Sequence, residues 1–267
     1  MPNMPIEAGR RGWVDTHVHL LPGLDDGPAT EDDARALIED AIQSGVTHAV
    51  ATPHANYQFQ FEPQVAAPLR ARLQEIAGER LQIYLGCELH LSYENLQAAL
   101  AHPQHYCLNG SRYLLVEFPE HFEPPVMGDA LSQLLETGLV PVIAHPERNP
   151  VFAARPEALA DFLRQGCLAQ LTASSFTGRF GKRAQAFAAA LLKRQWAHLV
   201  ATDAHNADKR PPHFDGAHER ICQLAGDQVA AALCSDNPYA VIQNRLLPWW
   251  PEVGSGKKRG LLSRFLS

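Results

Sequence analysis

Cysteine is scarce in this 267-residue chain: there are five, and no two of them form a C-x-x-C pair. This spacing excludes a thiolate zinc knuckle and argues against a disulfide framework, so Cys87, Cys107, Cys167, Cys222 and Cys234 read as small buried apolar residues. Basic excess is missing too. Lys and Arg total 23 against 29 Asp and Glu, a net charge of −6, so no broad cationic surface for nucleic acid is expected. No apolar run is long enough to span a bilayer, and Met1–Gly12 lacks the hydrophobic stretch of a secretion signal. A cytoplasmic location is the expectation. No G-x-G-x-x-G or P-loop follows the first apolar run, which disfavours the common nucleotide-binding sheets.

What the chain does have is alternation. Seven short β-branched or aliphatic runs are separated by stretches of helical period: Trp13–His17, Val46–Thr52, Leu81–Glu88, Tyr113–Phe118, Val140–His145, Cys167–Thr172 and His198–Asp203. Each has the length of a buried strand, and the order is that of parallel strands with helical crossovers. The first helix is the best marked. Thr30 with Asp33 makes a capping box, Ala34, Leu37, Ile38, Ala41 and Ile42 share a face, and Gly45 ends it. Helices over Val126–Thr137 and Glu157–Gln165 stop at Gly138 and Gly166 in the same way. An open doubly wound sheet would satisfy this pattern, but seven uninterrupted right-handed units fit a closing α/β barrel better. One domain over residues 12–250 is expected, followed by a basic and apolar tail over 251–267.

Barrel enzymes build their sites where strands stop, and here those positions carry imidazoles and carboxylates. Strand one runs into Asp15-Thr16-His17-Val18-His19, strand two into His54, strand three into Glu88, strand four into Glu117, strand five into His145, and strand seven into Asp203-Ala204-His205. Only strand six, ending near Thr172 and Ser174, lacks a strong ligand. Residues two apart on a strand point to one side, so His17 with His19, and Asp203 with His205, can converge on one ion. A single histidine of this kind is more often structural. Six of seven strands ending this way point to a shared metal site, because burying these groups unpaired costs several kcal/mol each. Imidazole and carboxylate donors without thiolate suit manganese first, then iron, zinc or magnesium, and a bridging Glu88 favours more than one ion. Such sites hydrolyse phosphate esters, but also amides and rings.

Two arginines narrow the choice. Arg148 lies three positions beyond His145 and Arg210 sits in Asp208-Lys209-Arg210-Pro211-Pro212-His213; both are placed to bind phosphate oxygens with a planar fork. The alternative is a pair of surface ion pairs.

With Asp25-Asp26-Gly27-Pro28, Ala144-His145-Pro146-Glu147-Arg148, Thr202-Asp203-Ala204-His205 and Arg210-Pro211-Pro212-His213 added to the first motif, the chain resembles the polymerase and histidinol phosphatase superfamily. The nearest likeness is to its bacterial protein-tyrosine phosphatases of capsule and exopolysaccharide biosynthesis, over roughly residues 12–246. The resemblance implies a distorted (β/α)7 barrel holding three metal ions, usually manganese. By motif it implies the metal ligands His17, His19, Asp26, His54, Glu88, Glu117, His145, Asp203 and His205, with Arg148 and Arg210 binding phosphate. It implies hydrolysis of phosphotyrosine by a metal-bound hydroxide, on a tyrosine autokinase of polysaccharide export. Independently, no cysteine is followed six residues later by arginine, which excludes the thiolate C-x5-R mechanism. The rival expectations are a small-molecule phosphatase of the histidinol phosphatase kind and a non-catalytic metal-binding module. The tail, Gly254-Ser255-Gly256-Lys257-Lys258-Arg259 and onward, reads as a solvated extension, with weak contact to an acidic membrane surface as the alternative.

Overall fold

The computed structural model describes residues 12–251; the tail expected beyond Pro251 lies outside the described residues. Nine strands occur among the described residues: β1 (Trp13–Val18), β2 (Val46–Ala51), β3 (His54–Ala55), β4 (Gln82–Leu85), β5 (Glu88–His90), β6 (Tyr113–Glu117), β7 (Val140–Ala144), β8 (Leu168–Thr172) and β9 (Leu199–Ala201). All pair in parallel, in the two ladders β1-β2-β4 and β3-β5-β6-β7-β8-β9. Backbone bonds close the two ladders into one barrel. His19 N donates to Ala204 O and Asp203 N to His17 O, both at 2.8 Å, joining β1 to the end of β9. At the other seam Gly86 N donates to Ala51 O at 2.9 Å and Glu88 N to Pro53 O at 3.1 Å.

The barrel therefore has seven staves, as the resemblance implied, but two expected strands are not continuous. The run Leu81–Glu88 breaks into β4 and β5, and the second stave stops at Ala51 and resumes at His54. Pro53 supplies no N–H at the second break. At Gly86 an added Cβ would stand 2.9 Å from Leu108 Cδ2 and 3.1 Å from Val50 Cγ1, so the backbone must pass close to its neighbours there. Each half pairs with a different ladder, which is the distortion of the barrel.

Along the staves, side chains alternate between two cores. Val14, Val50, Leu115, Val142, Leu168 and Leu199 form the inner cluster, plugged from the N-terminal end by Val241 and Ile242. Leu114, Val116, Ile143, Ala169, Leu171 and Val200 belong to the outer core with the helices. Helix Glu31–Gln43 carries the expected capping box, Thr30 Oγ1 accepting from Asp33 N at 3.2 Å and Asp33 Oδ2 from Thr30 N at 3.1 Å. The later helices start earlier than expected, at Pro124 and Pro156 rather than Val126 and Glu157, since proline's fixed φ suits a first turn whose N–H needs no partner. The five cysteines are free. No helix among the described residues is long and apolar enough to cross a membrane.

Candidate metal centre

Two staves end on residues in left-handed backbone, His145 (φ 35°) after β7 and Asp203 (φ 53°) after β9. This conformation costs an L-residue on the order of 1–2 kcal/mol, and it turns each chain abruptly at the mouth of the barrel. The β1 end is pinned by Asp15, whose Oδ1 accepts from Thr202 N at 3.0 Å and His17 N at 3.3 Å, and whose Oδ2 accepts from the Thr202 hydroxyl. Burial pushes the Asp15 carboxyl up to about 7 against the pull of those bonds.

Into the space between these ends project three overlapping groups of donors: His19, Asp26, His54 and His205; His17, His19, Glu88 and Asp203; and His54, Glu88 and Glu117. Within each group one ligand atom per residue lies within 4.8 Å of the others. Eight of the nine expected ligands are thus brought together. The ninth, His145, stands beside them with Nε2 2.8 Å from Glu88 Oε1 and 3.8 Å from Glu117 Oε1. His17, His19, Glu88, Asp203 and His205 are each at most 2% exposed, whereas the Asp26 side chain is 52% exposed at the rim.

Glu88 Oε2 is the hub. It lies 3.2 Å from His17 Nε2, 3.3 Å from His19 Nε2 and 3.0 Å from His54 Nδ1, yet it makes no hydrogen bond of acceptable geometry, and neither do His54 Nδ1 or His205 Nε2. Buried polar atoms are ordinarily paired. Donors that crowd together without bonding one another are aimed at common points between them, as ligands of an ion are. Donor atoms about 2.0–2.2 Å from one ion stand roughly 3–4 Å apart, the spacing seen here, and the absence of thiolate fits a hard or borderline divalent metal.

Both arginines reach this centre. Arg148 Nη1 and Arg210 Nη2 pair with the same oxygen, Asp203 Oδ2. Asn206 Oδ1 builds the turn that presents Arg210, accepting from Lys209 N at 2.7 Å and Arg210 N at 3.2 Å. Burial alone would raise the Asp203 carboxyl, but His17 and then the two guanidinium groups outweigh it and hold it well below the usual carboxylate range.

Sequence reasoning passed over several neighbours. Asp25, not only Asp26, faces inward: its Oδ2 lies 2.6 Å from His19 Nδ1 and accepts from His54 N at 3.1 Å. Glu147 Oε1 accepts from Thr172 N at 2.9 Å and Ser175 Oγ at 2.7 Å and ties the Arg148 loop to β8. His90 Nδ1 stands 3.5 Å from Glu117 Oε2. Gln170 on β8 meets His17 Nδ1 at 2.8 Å, and Phe180 lies under both arginines. In the sequence Asp25 and Glu147 stand inside the Asp25–Pro28 and Ala144–Arg148 motifs, whereas no pattern signalled Gln170 or Phe180.

Comparison with known proteins places this geometry. The sequence profile of the family described as capsular polysaccharide synthesis, CpsB/CapC, matches residues 13–243. Tyrosine-protein phosphatase YwqE of Bacillus subtilis (strain 168) is 34% identical over 238 residues, covering 88% of this chain and 93% of that protein. Tyrosine-protein phosphatase CpsB of Streptococcus pneumoniae is 31% identical over 243 residues, covering 88% of this chain and 100% of the other. A crystal structure from the pair YwqE and CpsB, described as unique metal-dependent tyrosine phosphatases, superposes with a TM-score of 0.83 at 31% identity, over 92% of this chain and 100% of that one. Histidinol phosphate phosphatase of Lactococcus lactis, with a TM-score of 0.56 at 14% identity over 82% of this chain and 94% of its own, shares the fold. The chain belongs to the CpsB/CapC family of capsular polysaccharide synthesis proteins.

Proposed function

We propose that this protein is a metal-dependent protein-tyrosine phosphatase, a phosphoric monoester hydrolase acting on phosphotyrosine. The observation that carries this reading is one mouth in which four buried donors, His17, His19, Glu88 and Asp203, meet two arginines. Membership of a family whose relatives are named tyrosine phosphatases supports the substrate. The ligand set is His17, His19, Asp26, His54, Glu88, Glu117, His145, Asp203 and His205, holding manganese, three ions in all. The catalytic unit spans residues 12–250, works in the cytoplasm, and acts on a tyrosine autokinase of polysaccharide export.

When bound, the metals supply Lewis-acid stabilisation of phosphoryl charge and a nucleophile at neutral pH. The chain's own residues do the rest. Arg148 and Arg210 turn from Asp203 to the phosphoryl oxygens, exchanging one anionic partner for another, and hold the group while charge spreads over its oxygens. Asp203, Glu88 and the imidazoles keep the centre dense in donors and closed to bulk solvent from beneath. A tyrosine hydroxyl has a pKa of about 10, so phenolate leaves with less proton assistance than a serine alkoxide, which favours phosphotyrosine.

The test is turnover by metal-stripped protein, with and without manganese, on a phosphotyrosine peptide, a phosphoserine peptide and histidinol phosphate. Manganese-dependent release of phosphate from the phosphotyrosine peptide, lost in His145→Ala, is the expected result. Selective turnover of histidinol phosphate would sink the substrate assignment while keeping the site, and inert metal-loaded protein would sink the enzymatic reading.

A further inference from the structure

Strand β8 is the one stave that brings no imidazole or carboxylate to the mouth, yet its central residue reaches the metal centre from behind. Gln170 is 2% exposed and pairs in register with Ala144 on β7 and Leu199 on β9. Its side chain crosses to β1, where the amide nitrogen Nε2 stands 2.8 Å from His17 Nδ1 and the amide oxygen Oε1 accepts from Thr16 Oγ1 at 2.8 Å. Other inner positions of these strands are aliphatic, Val142, Leu168 and Leu199 among them. An amide here is expensive to bury unless both of its ends are bonded, and both are.

The ring of His17 has two faces to satisfy. Nε2 points into the donor cluster, 3.2 Å from Glu88 Oε2, 3.3 Å from Asp203 Oδ1 and 3.3 Å from His19 Nε2. Nδ1 points away from it and meets Gln170. The group at Nδ1 decides which nitrogen carries the hydrogen. A glutamine amide offers an oxygen and an NH2 at equal reach and exchanges them by a half-turn of its terminal torsion. With the oxygen on His17, Nδ1 is the donor and the Nε2 lone pair is free for an ion. With the NH2 on His17, Nε2 is the donor and faces the carboxylates of Glu88 and Asp203, the arrangement that suits the centre without metal. The Thr16 hydroxyl donates or accepts and so completes either arrangement.

We propose that Gln170 is a positioning residue that sets the tautomer of His17, letting one imidazole serve both the metal-free and the metal-loaded centre. The inference rests on the metal site proposed above. It is tested by metal affinity, read by chelator competition with manganese and zinc, and by ion content from elemental analysis, on wild type, Gln170→Leu, Gln170→Glu and Thr16→Val. Melting of the stripped proteins is followed alongside. Gln170→Leu, which offers Nδ1 nothing, is expected to bind metal about 10–100-fold more weakly. Gln170→Glu, an acceptor that fixes the Nδ1–H form, is expected to bind as tightly as wild type or tighter. Thr16→Val should fall between the two. A residue that merely fills the barrel would lower the melting temperature in Gln170→Leu and leave metal affinity unchanged, and that result overturns the proposal. So does a Gln170→Glu variant as weak as Gln170→Leu. Should Gln170→Leu not fold, Thr16→Val against Gln170→Glu gives the same contrast. Wild-type protein that binds no ion would overturn the metal site as well, and turnover measured on the same wild-type samples separates the two failures.

Discussion

The guanidinium of Arg148 lies over the ring of Phe180, 4.4 Å from its centroid. Arg210 reaches the same ring at 6.0 Å, while both arginines pair with Asp203. One aromatic ring thus supports the two cations that the proposed reaction needs. A cation–π contact contributes about 0.5–2 kcal/mol, so Phe180→Ala should lower kcat/KM on a phosphotyrosine peptide by roughly 2–30-fold, mostly through KM. Steady-state kinetics that match wild type would reduce Phe180 to a space-filler.

Asp25 holds His19 from the side opposite the donor cluster, 2.6 Å from Nδ1, and caps the loop by accepting from Gly27 N at 2.9 Å. Asp25→Asn keeps an acceptor but removes the charge that makes the imidazole a stronger donor. Metal affinity should drop by about tenfold, measured as ion content after gel filtration, with the melting temperature of the stripped protein changing little. Full retention of metal would mean that Asp25 shapes the loop alone.

Gly27 lies against that same histidine. A Cβ there would stand 3.0 Å from His19 Cβ, His19 O and Asp25 Oδ1, contacts that require the loop to move. Gly27→Ala should destabilise by about 1–3 kcal/mol and loosen metal binding together, seen as a lower chemical-denaturation midpoint and a weaker chelator-competition constant. A variant as stable as wild type would show that the loop yields freely.

His198 is buried beneath the barrel, its Nδ1 accepting from Ala169 N at 3.2 Å and its ring edge-on to Trp250 at 5.3 Å. Burial pushes its pKa down from 6.5 to about 3. Above pH 6.5 the ring is neutral in both folded and unfolded chains and no stability is lost. As pH falls below 6.5 the unfolded chain takes up a proton that the folded one refuses, and stability declines by about 1.4 kcal/mol per pH unit until about pH 3. Between pH 7.5 and 5 that amounts to roughly 2 kcal/mol. His198→Asn should therefore show a smaller acid loss over this interval by about that amount, whatever its stability at pH 7.5. Parallel urea-unfolding series at the two pH values check it, and equal losses would refute it.

The donors that converge at the barrel mouth were legible in the sequence because a parallel strand buried on both faces is a short apolar run, and its last residue is where polarity returns. His17, Glu88, His145 and Asp203 stand at such boundaries, so their convergence could be expected before any contact was known. Thr30 with Asp33 was equally open to reading, since a capping box is local. The interrupted staves were not: the runs Val46–Thr52 and Leu81–Glu88 look continuous, and the break at Gly86 follows from the approach of Leu108 and Val50, which are distant in the chain.

By itself the sequence determined the alternation of strand and helix, the lack of a C-x5-R or C-x-x-C motif and the inventory of imidazole, carboxylate and guanidinium groups at strand ends, all properties of spacing and residue type. Only the tertiary structure decided that Asp25 rather than Asp26 backs His19, that both arginines rest on Asp203 and share Phe180, and that Gln170 crosses from β8 to His17. Those relations are set by barrel closure and side-chain reach between staves, where neighbours in space are as much as 187 positions apart in the chain, and no local pattern encodes them.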